Sequence, residues 1–258
     1  MKRIILTHKS NMPSARLLRD ALEEITDKRI LLSVNGQDHE EILIRYGNST
    51  VFSNIKIDTK FNDPDVIKLA CNKLAFSNLM HQNNIPSPTF YFEERPENFP
   101  VLIRKTLCSF KGKGIVIINS SDEFDDNFRD GYCWTPFINM EYELRVHLFD
   151  NKVIKIFKKV CLNQEEKYPI RTSDNYHFHK VDEGGNFKRL MEICEHVSEI
   201  MNAGFIALDI GKLIGGGYIF LEANSAPGLN LATAYLYANL MVEQINVNNW
   251  SRESKNGA

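Results

Sequence analysis

The stretch GFIALDIGKLIGGGYIFLEANSAPGLN, Gly204 to Asn230, constrains this chain more than any other. Two strand-like runs flank Gly215, Gly216 and Gly217, glycines suited to a tight hairpin turn that needs positive φ. With Gly215 and Gly216 as the turn residues, Asp209 stands opposite Glu222, since cross-strand partners are equidistant from the turn. A turn at Gly216 and Gly217 pairs Asp209 with Asn224 instead. Asn224 lies two residues beyond Glu222, so period-two alternation keeps all three on one face in either register. A one-residue slip or a bulge would break the arrangement. Two carboxylates and an amide on one pleated face are hard oxygen donors of the kind Mg²⁺ takes when it is shared with substrate phosphates. The alternative is a pair of acidic strand residues facing solvent. The apolar neighbours Phe220, Leu221 and Ala223 favour a carboxylate that is paired or metal-bound.

Upstream the pattern is α/β. Arg3 to Thr7 reads as a strand, and Leu17, Leu18, Ala21, Leu22 and Ile25 line one helix face, with Pro13 in its first turn. The apolar runs Ile30 to Val34 and Ile42 to Ile44 complete a strand-helix-strand-strand unit too short for a full dinucleotide fold. Asp63-Pro64 signals a helix start, with helix expected to about Asn84 before Ile85-Pro86-Ser87-Pro88 forces extension. Val101 to Arg104 and Ile115 to Ile118 are strand-like around the turn Phe110 to Gly114. From Tyr142 to Phe149, Leu144, Val146 and Leu148 alternate with Glu143, Arg145 and His147, a half-buried strand with one charged face. Val153 to Val160 alternates likewise. Leu190, Ile193, Cys194, Val197, Ile200 and Met201 form a helix face that Gly204 can end. The residues from about Asn246 read as a polar, frayed tail.

Composition narrows the function classes. At 258 residues and 43% apolar, the chain can bury one substantial core or two small ones. A net charge of -2 supplies no field to hold a polyanion, so nucleic acid is not expected as a partner, and a small molecule or peptide fits better. The five cysteines are scattered without a C-x-x-C pair, as in reduced thiols of a cytoplasmic protein. The apolar run Ile4 to Leu6 is too short for a signal peptide, and no stretch approaches a membrane span.

LEANSAPGLN, with Asp209 upstream, resembles the signature of the ATP-grasp superfamily, of the carboxylate-amine ligase type that includes the ribosomal-protein glutamate ligase, glutathione synthetase and D-alanine-D-alanine ligase group. The resemblance covers about Pro64 to Asn230. It implies a fold of two α+β subdomains clamping ATP, with residues 1–63 as a truncated pre-ATP-grasp domain, 64–245 as the ATP-grasp domain (lid about 86–135) and 246–258 as a tail. Asp209, Glu222 and Asn224 match positions that bind two Mg²⁺ ions, for which Mn²⁺ can substitute. Lys73 matches a lysine that reaches the α-phosphate; its alternative is a solvated helix lysine. Arg104 aligns with a phosphate-binding lysine and Lys105 with the proline after it, leaving open which makes the contact. Lys111, Gly112, Lys113 and Gly114 resemble the glycine loop over the phosphates, whose N–H groups can approach oxyanions closely.

Further along, Thr135, Pro136, Phe137 and Ile138 resemble the hinge that holds the adenine edge. Glu143 matches the ribose-binding acid and Arg145 a γ-phosphate arginine, with a surface ion pair between them as the alternative. Lys159 stands where many relatives carry arginine, near the acyl phosphate. Arg171 matches an arginine that stabilises the tetrahedral transition state or holds substrate, although Ser173-Asp174-Asn175-Tyr176 replaces the glycine pair that follows it in several ligases. His177 and His179 form an H-x-H pair read as acceptor-pocket or surface residues rather than metal ligands. The resemblance implies ATP-dependent activation of a carboxylate as acyl phosphate and its transfer to an amine. A small-molecule kinase and a silent ATP-binding regulatory module are the alternatives. Whether the acceptor is an amino acid, a peptide, a protein tail or a metabolite stays open, as does the oligomeric state, homodimer included.

Overall fold

The computed structural model describes residues 3–8, 12–33, 40–51, 56–107, 114–161, 176–181 and 187–256. The N-terminal unit comprises β1 (Arg3–His8), α1 (Pro13–Thr26), β2 (Leu31–Ser33), β3 (Glu40–Tyr46) and β4 (Lys56–Phe61), a parallel sheet in the order β2-β1-β3-β4. Residues 56–61, KIDTKF, lack the apolar run by which the other strands are read, so β4 is an addition to the strands expected from sequence.

α2 (Pro64–Cys71) and α3 (Lys73–Gln82) replace the single helix expected from 64 to 84. Asn72 causes the break, because its side chain accepts from the N–H groups of Leu74 and Ala75, both at 3.1 Å. Lys73 thereby becomes the first residue of a helix rather than a mid-helix lysine. A small antiparallel sheet follows, from β5 (Val101–Arg104), β6 (Ile115–Ile118), α4 (Ser121–Asn127) and β7 (Cys133–Pro136), in the order β6-β5-β7. Its own core holds Val101, Ile103, Ile118, Phe124 and Trp134.

The central sheet is antiparallel, built from β8 (Met140–Phe149), β9 (Lys152–Cys161), β10 (Tyr176–Lys180), β11 (Phe205–Leu213) and β12 (Tyr218–Asn224), with α5 (Lys188–Met201) between β10 and β11. Its order is β10-β9-β8-β11-β12. One face buries Leu144, Val146, Leu208 and Ile210 against Phe76 and Met80 of α3 and Cys194 and Val197 of α5. That leaves the charged residues of β8 on the other face.

α6 (Leu231–Asn256) returns to the N-terminal unit, where Ala234, Tyr237, Ala238 and Met241 share a core with Leu18 and Leu22 of α1 and Ile44 of β3. The helix continues through the segment expected as a frayed tail. Asn62 ties the same unit to the central sheet, exchanging hydrogen bonds with the backbone of Phe205 (Nδ2 to O 2.8 Å, N to Oδ1 3.2 Å). No helix among the described residues is long and apolar enough to cross a membrane.

Candidate active site

The β11–β12 hairpin sets the site. It closes around Ile214, Gly215 and Gly216, with Leu213 N–H donating to Gly217 O and Gly216 N–H to Leu213 O, both at 3.2 Å. All three glycines take positive φ, at 85, 117 and 79°. Continued regularly from the Lys212–Tyr218 pair, this turn would set Leu221 opposite Asp209. A bulge between Asp209 and Ile210 skips Leu221, so Asp209 pairs with Glu222 and Ala207 with Asn224. The bulge, expected to break the arrangement, restores it. Asp209 also pairs with Arg145 of β8, and Glu143 with Lys159 of β9, so one cleft face carries all six residues.

Each carboxylate there is held by a cation. Arg145 grips Asp209 with Nε on Oδ1 at 2.7 Å and Nη2 on Oδ2 at 2.8 Å. Lys159 Nζ donates to Asp209 Oδ2 at 2.6 Å and also to Glu143 Oε1. Lys73, from the start of α3, pairs with Glu222 at 2.5 Å. Burial opposes the Asp209 charge, yet the Arg145 and Lys159 cations outweigh it and hold the carboxyl well below the usual range. Burial works against the Arg145 cation too, and Asp209 more than offsets it, raising its pKa. Lys159 goes the other way, because burial and the like charge of Arg145 outweigh its share of Asp209 and lower its pKa.

The flanking positions resolve as follows. Arg104, at the end of β5, is half-buried and near enough to Glu222 for that charge to oppose the lowering of its pKa by burial. Its Nε is buried without a hydrogen-bond partner. Lys105 is exposed beside the Tyr132 ring, so Arg104 is the residue turned toward the cleft. Thr135 is buried, Pro136 exposed, and Phe137 and Ile138 half-buried, with Phe137 N–H donating to Pro100 O at 3.1 Å. Gly114 has φ 77° and its carbonyl accepts from Lys105 N–H at 3.0 Å. Lys111, Gly112, Lys113 and Arg171 lie outside the described residues. His177 and His179 are exposed on the face of β10 opposite Phe178.

Several residues at the site have contacts that the sequence did not assign to them. Phe178 pairs with Lys159 across β9–β10 and sets its ring 5.1 Å from the Arg145 guanidinium. Tyr46, at the end of β3, donates its hydroxyl to Pro227 O, pinning the loop after Asn224. Gly47 follows, with space for no side chain against Ala226. His147 is buried, its Nδ1 3.1 Å from Tyr237 Oη, and burial pushes its pKa down to about 3, with the Arg145 charge adding to the fall. Only the alternation of β8 hints at this last position.

Among the described residues no cluster of three or more His, Cys, Asp or Glu stands ready for a metal. Asp209, Glu222 and Asn224 are a different donor set, two carboxylates and an amide, and the Asn224 Nδ2 is buried without a partner. Hard oxygens on adjoining strands fit Mg²⁺. The cations now on the carboxylates have phosphate oxygens as their natural alternative partners.

No family model matches the chain, and no curated protein matches it in sequence. Solved structures do match in shape. The ATP-grasp ligase PsnB, complexed with a phosphomimetic variant of a minimal precursor, Mg and ADP, superposes with TM-score 0.69 at 10% identity, over 94% of this chain and 98% of that one. D-alanine-D-alanine ligase from Bacillus anthracis gives TM-score 0.71 at 13% identity, covering 99% and 100%. A RimK domain ATP-grasp protein from Sphaerobacter thermophilus gives 0.62 at 15%, covering 92% and 98%. At such identities the likeness is one of fold.

Proposed function

We propose that this chain, which has the ATP-grasp fold, is an ATP-dependent ligase. It activates a carboxylate as an acyl phosphate and passes the acyl group to an amine of amino-acid or peptide type, releasing ADP and phosphate. The observation that carries the reading is the cleft face on which Asp209, Glu222, Lys73, Arg145 and Lys159 interlock. The precursor held by PsnB supports a peptide-type substrate. A cytoplasmic setting suits the thiols of Cys133 and Cys194, whose pKa values burial raises.

In this reading Asp209, Glu222 and Asn224 hold two Mg²⁺ ions. Bound metal would neutralise the phosphate oxygens and align the γ-phosphoryl group. Lys73 takes the α-phosphate and Arg104 the nucleotide phosphates, Glu143 the ribose hydroxyls, and Thr135 to Ile138 the adenine edge. Arg145, held on Asp209, meets the γ-phosphate, where charge spreads in transfer. Lys159 and Arg171 meet the acyl phosphate and the second substrate. The loop from Lys111 to Gly114 excludes water, the competitor for an acyl phosphate. Placement and charge neutralisation suffice, and no nucleophilic side chain is needed.

The test is hydroxylamine trapping. With MgATP and a panel of amino acids and short peptides as donors, a hydroxamate should form in step with ADP. ADP formed with a stable phosphate ester and no hydroxamate would make the chain a kinase. Nucleotide bound without turnover across the panel would favour a regulatory module.

A further inference from the structure

Resting on the nucleotide-site reading above, we propose that Lys159 and Lys73 are resident counter-ions that exclude free divalent metal from Asp209 and Glu222, so that metal enters only with the phosphates of the nucleotide. Lys73, Arg145 and Lys159 bring three positive charges to this face, and Glu143, Asp209 and Glu222 three negative ones. Both Asp209 oxygens accept from cations, at 2.7 Å from Arg145 and 2.6 Å from Lys159, and Glu222 Oε2 lies 2.5 Å from Lys73.

A metal ion arriving alone must dislodge at least one of these cations. The displaced ammonium would stay in a cleft where Lys159 is 9% and Lys73 12% exposed, its charge set against that of the incoming divalent ion. A polyphosphate changes the balance, because its oxygens accept from the same cations as they leave the carboxylates. Each ligand thus removes the cost that the other meets, which is positive coupling between metal and nucleotide.

Lys159 has the larger share in this. It bridges Glu143 and Asp209, so one movement of its ammonium lifts a cation from both the acid read as ribose-binding and the Asp209 oxygen that Arg145 Nη2 also holds. Arg145 holds Asp209 through a planar two-point fork, whereas an ammonium is a point charge on a flexible stem that can swing from carboxylate to phosphate.

The experiment measures Mn²⁺ bound to the protein by the loss of the free-ion electron paramagnetic resonance signal, with and without AMPPNP, each set against the same solution without protein. It compares wild type, Lys159→Met, Lys73→Met and Lys159→Arg, with circular dichroism to confirm that each is folded. Wild type should take up Mn²⁺ with AMPPNP and not at the same concentration alone. Each methionine variant should bind Mn²⁺ alone about tenfold or more tighter than wild type. Lys159→Arg keeps the charge and should exclude Mn²⁺ as wild type does. Wild type binding Mn²⁺ alone as tightly as with AMPPNP, or no gain in either methionine variant, overturns the counter-ion role. AMPPNP failing to bind wild type with any metal overturns the nucleotide reading instead, and the metal-alone titration still decides what the lysines do.

Discussion

Arg145 holds both oxygens of Asp209 through Nε and Nη2, and only 16% and 3% of the two side chains are exposed. Asp209→Asn would leave Arg145 and Lys159 with a neutral amide between them. Removing one partner of a buried pair strands the other charge, at a cost of about 3–5 kcal/mol. Arg145→Lys keeps the charge and loses the fork, for a smaller loss of about 1.5 kcal/mol. Urea unfolding of the three proteins should rank wild type, Arg145→Lys and Asp209→Asn in that order. Asp209→Asn as stable as wild type would show that the two cations are satisfied elsewhere.

Glu222 carries the second prediction, because it meets Lys73 in the structure and a metal in the proposed function. A ligand present at a hundred times its Kd stabilises the native state by about 2.7 kcal/mol, and about 1 kcal/mol raises Tm by roughly 2–4 °C at this size. Wild type should therefore melt about 5–10 °C higher in saturating MgATP than in ATP with chelator. Glu222→Ala should melt alike in both. Equal melts for wild type would remove the metal assignment.

How much of this was legible in the sequence depended on the range of the interaction that decides each element. Local signals sufficed where one face is buried, so the alternation of Tyr142 to Phe149 puts Glu143, Arg145 and His147 opposite Leu144, Val146 and Leu148. They also placed Asp209 and Glu222 together, although the actual register comes from a three-residue loop and a bulge that compensate each other. β4 goes unread because the alternation in KIDTKF offers only Ile57 and Phe61 as apolar positions beside Thr59, too short a signal to stand out. The end of α2 hangs on one asparagine side chain, and mid-sequence asparagine reads equally well as surface. α6 belongs to the core of an N-terminal unit some two hundred residues away, which no window of sequence can see. The contact of Lys159 with Asp209 is likewise a product of strand order, since β9 and β11 are joined through β8.

His147 predicts a stability profile. It is buried between Phe157 and Tyr237, and its pKa falls from the ordinary 6.5 to about 3, mainly through burial and then through Arg145, with Asp209 opposing. A lowered folded-state pKa means that the unfolded chain binds the proton first as pH drops. This contribution is therefore complete above about pH 6.5 and is lost as pH falls toward 3, at up to about 1.4 kcal/mol per pH unit. His147→Gln cannot titrate, so its unfolding free energy should fall less steeply between pH 6 and 4 than that of wild type. Parallel slopes would place the acid sensitivity in the carboxylates alone.

The N-terminal unit meets the loop that follows β12 in a seam at Gly47. Gly47 sits at φ 70°, and a Cβ added there would lie 2.7 Å from the Cβ of Ala226. Two costs combine in Gly47→Ala, a left-handed backbone that a side chain resists by about 1–2 kcal/mol and a methyl-methyl clash that nothing flexible can absorb. Overpacking of this kind costs about 1–3 kcal/mol. The costs are separable, because Ala226→Gly removes the clash and leaves the strained φ. Gly47→Ala should destabilise the fold by about 2–4 kcal/mol, and adding Ala226→Gly should return about 1 kcal/mol or more, a non-additivity proper to residues in contact. The same approach carries a functional consequence. Tyr46 and Gly47 brace the turn at Pro227, and a Cβ built on Gly228 would stand 3.8 Å from Arg145 Nη1, so the clash should also weaken MgATP binding. Urea unfolding and MgATP titration of the four proteins complete the cycle. Additive stabilities would mean that the seam opens freely, and unchanged MgATP affinity in Gly47→Ala would mean that the loop does not transmit the strain to Arg145.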